Sequence, residues 1–178
     1  YNASTKLTGA NADGVLGQPN FTSNTSGTTA GLLSAPTSVF VDGSGNLWVC
    51  DKDNNRVMRF NNASAKPNGS DADGVLGQID FTSSSSGTTA SKFDSPWGVY
   101  VDNTGKLWVA DRFNSRVLRF DNAAGLTNGA NANGVLGQTD FVSSSSGLTQ
   151  SKFDGPRGMF MDGLGRLYVG DEGNSRVI

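Results

Sequence analysis

An all-β fold of repeated four-stranded antiparallel sheets, three to the chain, is predicted by three features. A 60-residue unit occurs three times, four short β-type segments follow one another in each unit, and the inner segments are apolar on both sides. Gly14-Val15-Leu16-Gly17-Gln18 returns at Gly74 to Gln78 and at Gly134 to Gln138. Pro36, Pro96 and Pro156 keep that spacing. The second and third units agree at 33 of 58 aligned positions with no gap, so one structural unit is repeated in register. The units run 1–60, 61–120 and 121–178, with structural boundaries offset from these arithmetic ones.

The second unit shows the elements in order. Gly98-Val99-Tyr100-Val101 is β-branched and aromatic, and stops at the turn residues Asn103-Thr104-Gly105. Leu107-Trp108-Val109-Ala110 follows, ended by Asp111 and a polar turn. Arg116-Val117-Leu118-Arg119-Phe120 is the third segment, and Gly134-Val135-Leu136 the fourth, after an Asn/Gly-rich loop. A sheet covered on one face would alternate polar and apolar residues, whereas these inner segments do not, so both faces are covered. Sheets of this kind stacked at fixed period are β-propeller blades. The innermost strands are expected at Val39-Phe40-Val41, Val99-Tyr100-Val101 and Met159-Phe160-Met161.

The pattern Phe93-x-x-Pro96-x-Gly98-Val99-x-Val101-Asp102-x-x-Gly105-x-Leu107-x-Val109-Ala110-Asp111-x-x-Asn114-x-Arg116-Val117 resembles an NHL repeat. It recurs from Pro36 to Val57, with Ser38 in the glycine position, and from Phe153 to Val177, with Met159 and Met161 in place of valines. The resemblance implies a propeller, usually of six blades, and these units are longer than the commonest NHL blade. Some NHL-like propellers resemble lyases and hydrolases that depend on histidine or on a metal in the central channel.

Composition narrows the chemistry. The chain has no histidine, one cysteine (Cys50) and a net charge of −2. Those facts argue against imidazole catalysis, an intrachain disulfide, a cysteine zinc site and a basic nucleic-acid footprint. No apolar run is long enough to span a membrane, no signal segment is evident, and the sequence assigns no compartment. The start, Tyr1-Asn2-Ala3-Ser4, reads as the middle of a repeat, so a piece of a longer protein, natural or engineered, is expected.

Two sets of residues are candidates for a role. Asp51, Asp111 and Asp171 each precede Arg56, Arg116 and Arg176 by five residues. Their recurrence in every unit favours a structural ion pair, since catalysis needs its carboxylate once. Asp42, Asp102 and Asp162 are expected to accept backbone N–H bonds in turns. The second set varies where the unit is otherwise constant: Thr37, Trp97 and Arg157 after the proline, and Lys52, Arg112-Phe113 and Glu172 after the second strand. That assortment is expected to line one exposed face and contact a ligand. The Ser-rich loops Ser83 to Gly87 and Ser143 to Gly147 are expected to be solvated connectors.

The function expected from these residues is a non-catalytic binding scaffold without a cofactor, its ring completed by self-assembly. The alternatives are a partial or engineered fragment of a longer propeller with no function of its own, and a lyase- or hydrolase-type propeller using a bound metal. Calcium held by Asn and Asp oxygens is the metal chemistry left open. Residues Asp13 to Gln18 read as the outermost strand of a blade whose inner strands do not precede them, and Arg176-Val177-Ile178 as a third strand without a fourth. The partner expected is therefore the chain itself, head to tail, as a six-blade homodimer in first place and a nine-blade homotrimer in second. Neither nucleic acid nor membrane is expected.

Overall fold

Turn chemistry divides each unit into its strands. In the computed structural model, residues 3–178 are described, and Tyr1 and Asn2 lie outside them. The first blade is β1 (Pro36–Val41), β2 (Leu47–Asp51), β3 (Arg56–Phe60) and β4 (Gly74–Leu76). The second is β5 (Pro96–Val101), β6 (Leu107–Asp111), β7 (Arg116–Phe120) and β8 (Gly134–Leu136), and the third β9 (Pro156–Met161), β10 (Leu167–Asp171) and β11 (Arg176–Val177). Strands within a blade follow chain order and pair antiparallel. The helical residues among those described form three-residue 3-10 turns.

The first two strands of a blade join through an Asp turn. Asp42 accepts the N–H groups of Ser44 and Asn46, and Gly45 takes φ +81°, a conformation costly for a residue with a Cβ. The second and third strands join through a 3-10 turn closed by a left-handed residue: Asn55, Ser115 or Ser175. A β-bulge interrupts the first strand pair, because Pro36 faces Asp51 but Ser38 faces Cys50. Thr37, and Trp97 in the second blade, is the extra residue, and a bulge re-aims such a side chain.

Burial follows the stacking of blades. Trp48, Cys50 and Val57 of the first blade share a core with Val99, Val101, Leu107, Val109, Leu118 and Phe120 of the second. Val117 of the second joins Phe153 and Val169 of the third, with Trp108 and Met159 against them. The far side of the first blade buries Val49, Met58, Phe60 and Val75 under Leu16 and Leu33.

The innermost strands are β1, β5 and β9. Phe40 and Tyr100 meet at 4.7 Å between ring centroids, and Tyr100 and Phe160 at 6.1 Å. Thr37 Oγ1 donates to the Trp97 carbonyl at 2.9 Å, and Ser38 Oγ accepts from Val99 N–H at 3.3 Å. Gly98 approaches the third blade so closely that a Cβ would lie 2.0 Å from the Arg157 carbonyl oxygen.

One expectation is corrected: Asp13 to Gln18 holds no strand. The third blade has three strands, as the reading of Arg176 to Ile178 as a third strand without a fourth implied. Both follow from pairing, since a strand is stabilised by the ladder of a neighbour. Residues 14–16 nevertheless occupy a strand's place on one side. Gly69 N–H donates to Val15 O and Val15 N–H to Asn68 Oδ1, as Gly129 does to Val75 O and Val75 N–H to Asn128 Oδ1.

Candidate functional site

Because β1 begins opposite the end of β2, and likewise in the other blades, the bulge residues and the 3-10 turns lie at one end of the sheets. The varied residues therefore converge across blade boundaries. Arg157 sits over the Trp97 ring at 4.2 Å, Arg112 at 5.1 Å and Lys52 at 5.7 Å. Arg112 also lies over Phe113 at 4.7 Å. One oxygen of Glu172 takes both guanidiniums, Arg157 at 2.6 Å and Arg112 at 3.2 Å, while Lys52 pairs with Asp53 at 3.0 Å. Thr37 reaches this group through the Trp97 backbone.

Trp97 is half-buried beneath these cations and not freely exposed as the sequence suggested. Its bulge position turns the indole along the blade surface, where guanidinium groups stack favourably on its face. Phe113 instead stands 59% exposed at the lip of a groove of about 310 Å³. Ser144, Ser146, Asp154 and Gly155 complete that groove together with Arg112 and Glu172. Sequence reading set the serines aside as parts of a solvated connector and did not single out Asp154. The signal available was the Ser-rich loop itself, whose position over the preceding blade's turn depends on contacts distant in sequence. Asn54, Asn114 and Asn174 donate to the carbonyls of Gly27, Gly87 and Gly147, so these loops are exposed along their tips but pinned at the glycine, and are not free connectors.

Below the face lie the Asp–Arg pairs, each at 2.7 Å. Arg56 and Arg116 are fully buried with their aspartates, and their guanidiniums also bond loop carbonyls: Thr28, Thr29, Leu32 and Phe81 for the first, Thr89, Lys92 and Phe141 for the second. Each arginine thus ties the loop of its own blade to the loop of the next. Burial pushes the Asp111 carboxyl up to about 6, against the opposing pull of Arg116 and the Asp94 N–H. Asp51 is raised by burial as well. At Asp171 burial is outweighed by the Asp154 N–H, Asn174 and Arg176, and the carboxyl is held low.

The turn aspartates sit at the opposite end. Asp42 accepts the Trp48 indole N–H at 2.9 Å and Asp102 that of Trp108 at 3.1 Å; Asp162 accepts Arg166 Nε at 2.7 Å and the Tyr168 hydroxyl at 3.3 Å. Despite the cost of partial burial, these donors hold Asp42 and Asp102 below the usual carboxylate range. Among the described residues, no group of three or more Cys, Asp or Glu side chains comes together as a metal site, and no helix is long and apolar enough to cross a membrane.

The NHL repeat family model matches residues 93–120. The chain is 29% identical over 157 residues to mouse NHL repeat-containing protein 3, covering 82% of this chain and 39% of the mouse protein. A Bacteroides thetaiotaomicron protein of unknown function aligns at a TM-score of 0.57 with 14% identity, over 80% of this chain and 34% of its own. A candidate phosphatase from the same organism aligns at 0.53 with 13% identity, over 78% of this chain and 33% of its own. At such identity the two structures speak to the fold alone. The chain spans between a third and two fifths of the length of these proteins. The family model falls on the central unit and the same Pro, Asp, Asn and Arg positions recur in the units on either side, so the chain carries one NHL repeat at residues 93–120 and is similar to NHL-repeat proteins along its other two units.

Proposed function

We propose that the chain is a non-catalytic scaffold whose loop face binds a peptide segment of a partner protein, and whose ring is completed by copies of itself. The observation that carries the binding role is the meeting of Lys52, Arg112 and Arg157 around Trp97, beside an exposed Phe113 and a groove. A single Glu172 oxygen serves two guanidiniums there. Each guanidinium carries five N–H donors, so capacity remains for a second carboxylate. Phe113 offers apolar contact area at the rim. An acidic segment carrying one apolar side chain fits that chemistry.

The test is a fluorescence-polarisation screen of labelled acidic and neutral peptides against the chain, the Arg157→Ala variant and the Phe113→Ala variant. Acidic peptides are expected to bind, and to lose tenfold or more in affinity with either variant, corresponding to about 1.4 kcal/mol. Peptides that bind both variants as well as the parent would place recognition elsewhere, and a screen in which neutral peptides bind best would refute the acidic assignment.

A further inference from the structure

The loop face crosses two blade junctions, and matched positions at the two are filled differently. Between the first and second blades, the Asn55 carboxamide ties two loop segments together. Its Nδ2 donates to the Ser84 carbonyl at 3.0 Å, and its Oδ1 accepts the Ser95 N–H at 2.8 Å. One unit on, the same positions hold Ser115, Ser144 and Gly155. Asn55 and Ser115 both take the left-handed conformation, at φ +51° and +48°, so the backbone turns alike and the side chain alone is shortened. A serine carries a single hydroxyl in place of a carboxamide's paired donor and acceptor. Among the described residues, neither the Gly155 N–H nor the Ser144 carbonyl takes part in a hydrogen bond.

The same step along the chain removes volume. Asn55 gives way to Ser115, Ser95 to Gly155 and Phe113 to Gly173, each a smaller residue. The groove of about 310 Å³ lies at this second junction, and Ser115, Ser144, Gly155 and Gly173 all line it. A space therefore stands where the first junction holds a carboxamide, and the backbone donor and acceptor that bind such a group belong to its walls.

We infer that the groove seats the primary carboxamide of an asparagine or glutamine side chain in a peptide ligand, which completes the second junction as Asn55 completes the first. This rests on the reading that the loop face binds a peptide, and adds a residue type and a position to it. The ligand amide donates to the Ser144 carbonyl, and its oxygen accepts the Gly155 N–H. A carboxylate has no proton for the Ser144 carbonyl, and Asp154 and Glu172 in the lining repel it. An ammonium group has no acceptor for the Gly155 N–H. A trans backbone amide points its N–H and C=O in opposite directions, whereas a primary carboxamide presents both on one edge. Arg112 lines the same groove and shares Glu172 with Arg157. The acidic residue on the arginines and the carboxamide in the groove are thus close neighbours in the ligand.

The test uses N-acetylasparagine and N-acetylleucine, which share shape and carboxylate and differ in the carboxamide. Each is titrated into the isotope-labelled chain while the backbone amide signals are followed by NMR. N-acetylasparagine should move the Gly155 signal to saturation, and N-acetylleucine should bind about fivefold more weakly, the worth of one net hydrogen bond. Ser115→Asn gives the groove a carboxamide of its own, at a left-handed position where Asn55 already sits in the first blade. That variant should lose the Gly155 response and melt no lower than the parent. It should still bind acidic peptides that lack asparagine and glutamine. Equal binding of the two probes to the parent would overturn the carboxamide seat, whether or not the variant folds. So would a folded Ser115→Asn chain whose Gly155 signal responds as the parent's does. In either case, acidic peptides that still bind would leave the peptide-binding face standing. N-acetylasparagine that titrates as expected while no acidic peptide binds would remove the acidic assignment and leave the seat.

Discussion

The second and third blades carry nearly the same residues in different surroundings. Val117 is fully buried and Val177 is 70% exposed; Arg116 is fully buried and the Arg176 side chain is 28% exposed. Asp111 has a carboxyl raised by burial, and Asp171 one that is held low. The residues are matched, so the neighbouring blade sets the difference. In a stacked array, burial belongs to the interface between units, and a single unit cannot bury its own apolar faces.

The largest test of that contrast is the arginine pair. Arg116→Ala leaves a buried Asp111 without its counter-charge and should cost about 3–5 kcal/mol. Arg176→Ala, at a side chain that is partly exposed, should cost about 1 kcal/mol. Urea denaturation of both variants decides it, and equal losses would show that the third blade is as closed as the second. A smaller effect is expected at the inner strands. Gly98→Ala forces a methyl group against the Arg157 carbonyl and should cost about 1–3 kcal/mol, whereas a Cβ at Gly158 meets nothing within 4 Å. Gly158→Ala should therefore be near neutral, and thermal melts that fall together would deny the close approach.

The smallest effect is electrostatic and lies in the loops. Asp80 accepts the Thr82 N–H, the Thr82 hydroxyl and the Ser83 N–H, which hold its carboxyl down at about 2. At Asp140 the Ser143 side chain and the N–H groups of Val142 and Ser143 lower the carboxyl as well, but Val142 lacks the hydroxyl that Thr82 adds at Asp80. A folded pKa below the unfolded value stabilises the fold above about pH 4, and that stability is lost as pH falls through the folded value. Carbon-detected titration should place Asp80 below Asp140. The reverse order would remove the hydroxyl from the account.

How much of this was legible in sequence depends on where the contact partner lies. The strands could be read, because Val99-Tyr100-Val101 and its two counterparts carry their own β signature and end on their own turns. The five-residue spacing of Asp111 and Arg116 was likewise visible within one unit. That Arg116 reaches Phe141 was not, since a repeat period reports which positions correspond but not which ones touch. Trp97 shows the same limit. Its variation drew attention to it, yet the bulge that lays the indole under Arg157 arises from a register shift against β6 that no single residue announces. The serines of the groove escaped for a related reason, as the tether of their loop is Asn174, 27 residues away from Gly147.

The arginine that bridges two loops also has a consequence for the order in which the molecule comes apart. Arg56 fastens the loop of the first blade to that of the second, and Arg116 the second to the third, so each blade is latched to its sequence neighbour. Disruption then spreads like fraying from the ends of a rope, with the outermost latch released first. Amide hydrogens of Val169 and Ile178, which exchange bonds in the outermost blade of a single chain, should be lost to solvent by local opening when chains are kept dilute. Those of Val109 and Leu118 should wait for the whole array to unfold, making the central blade the slowest clock in the molecule.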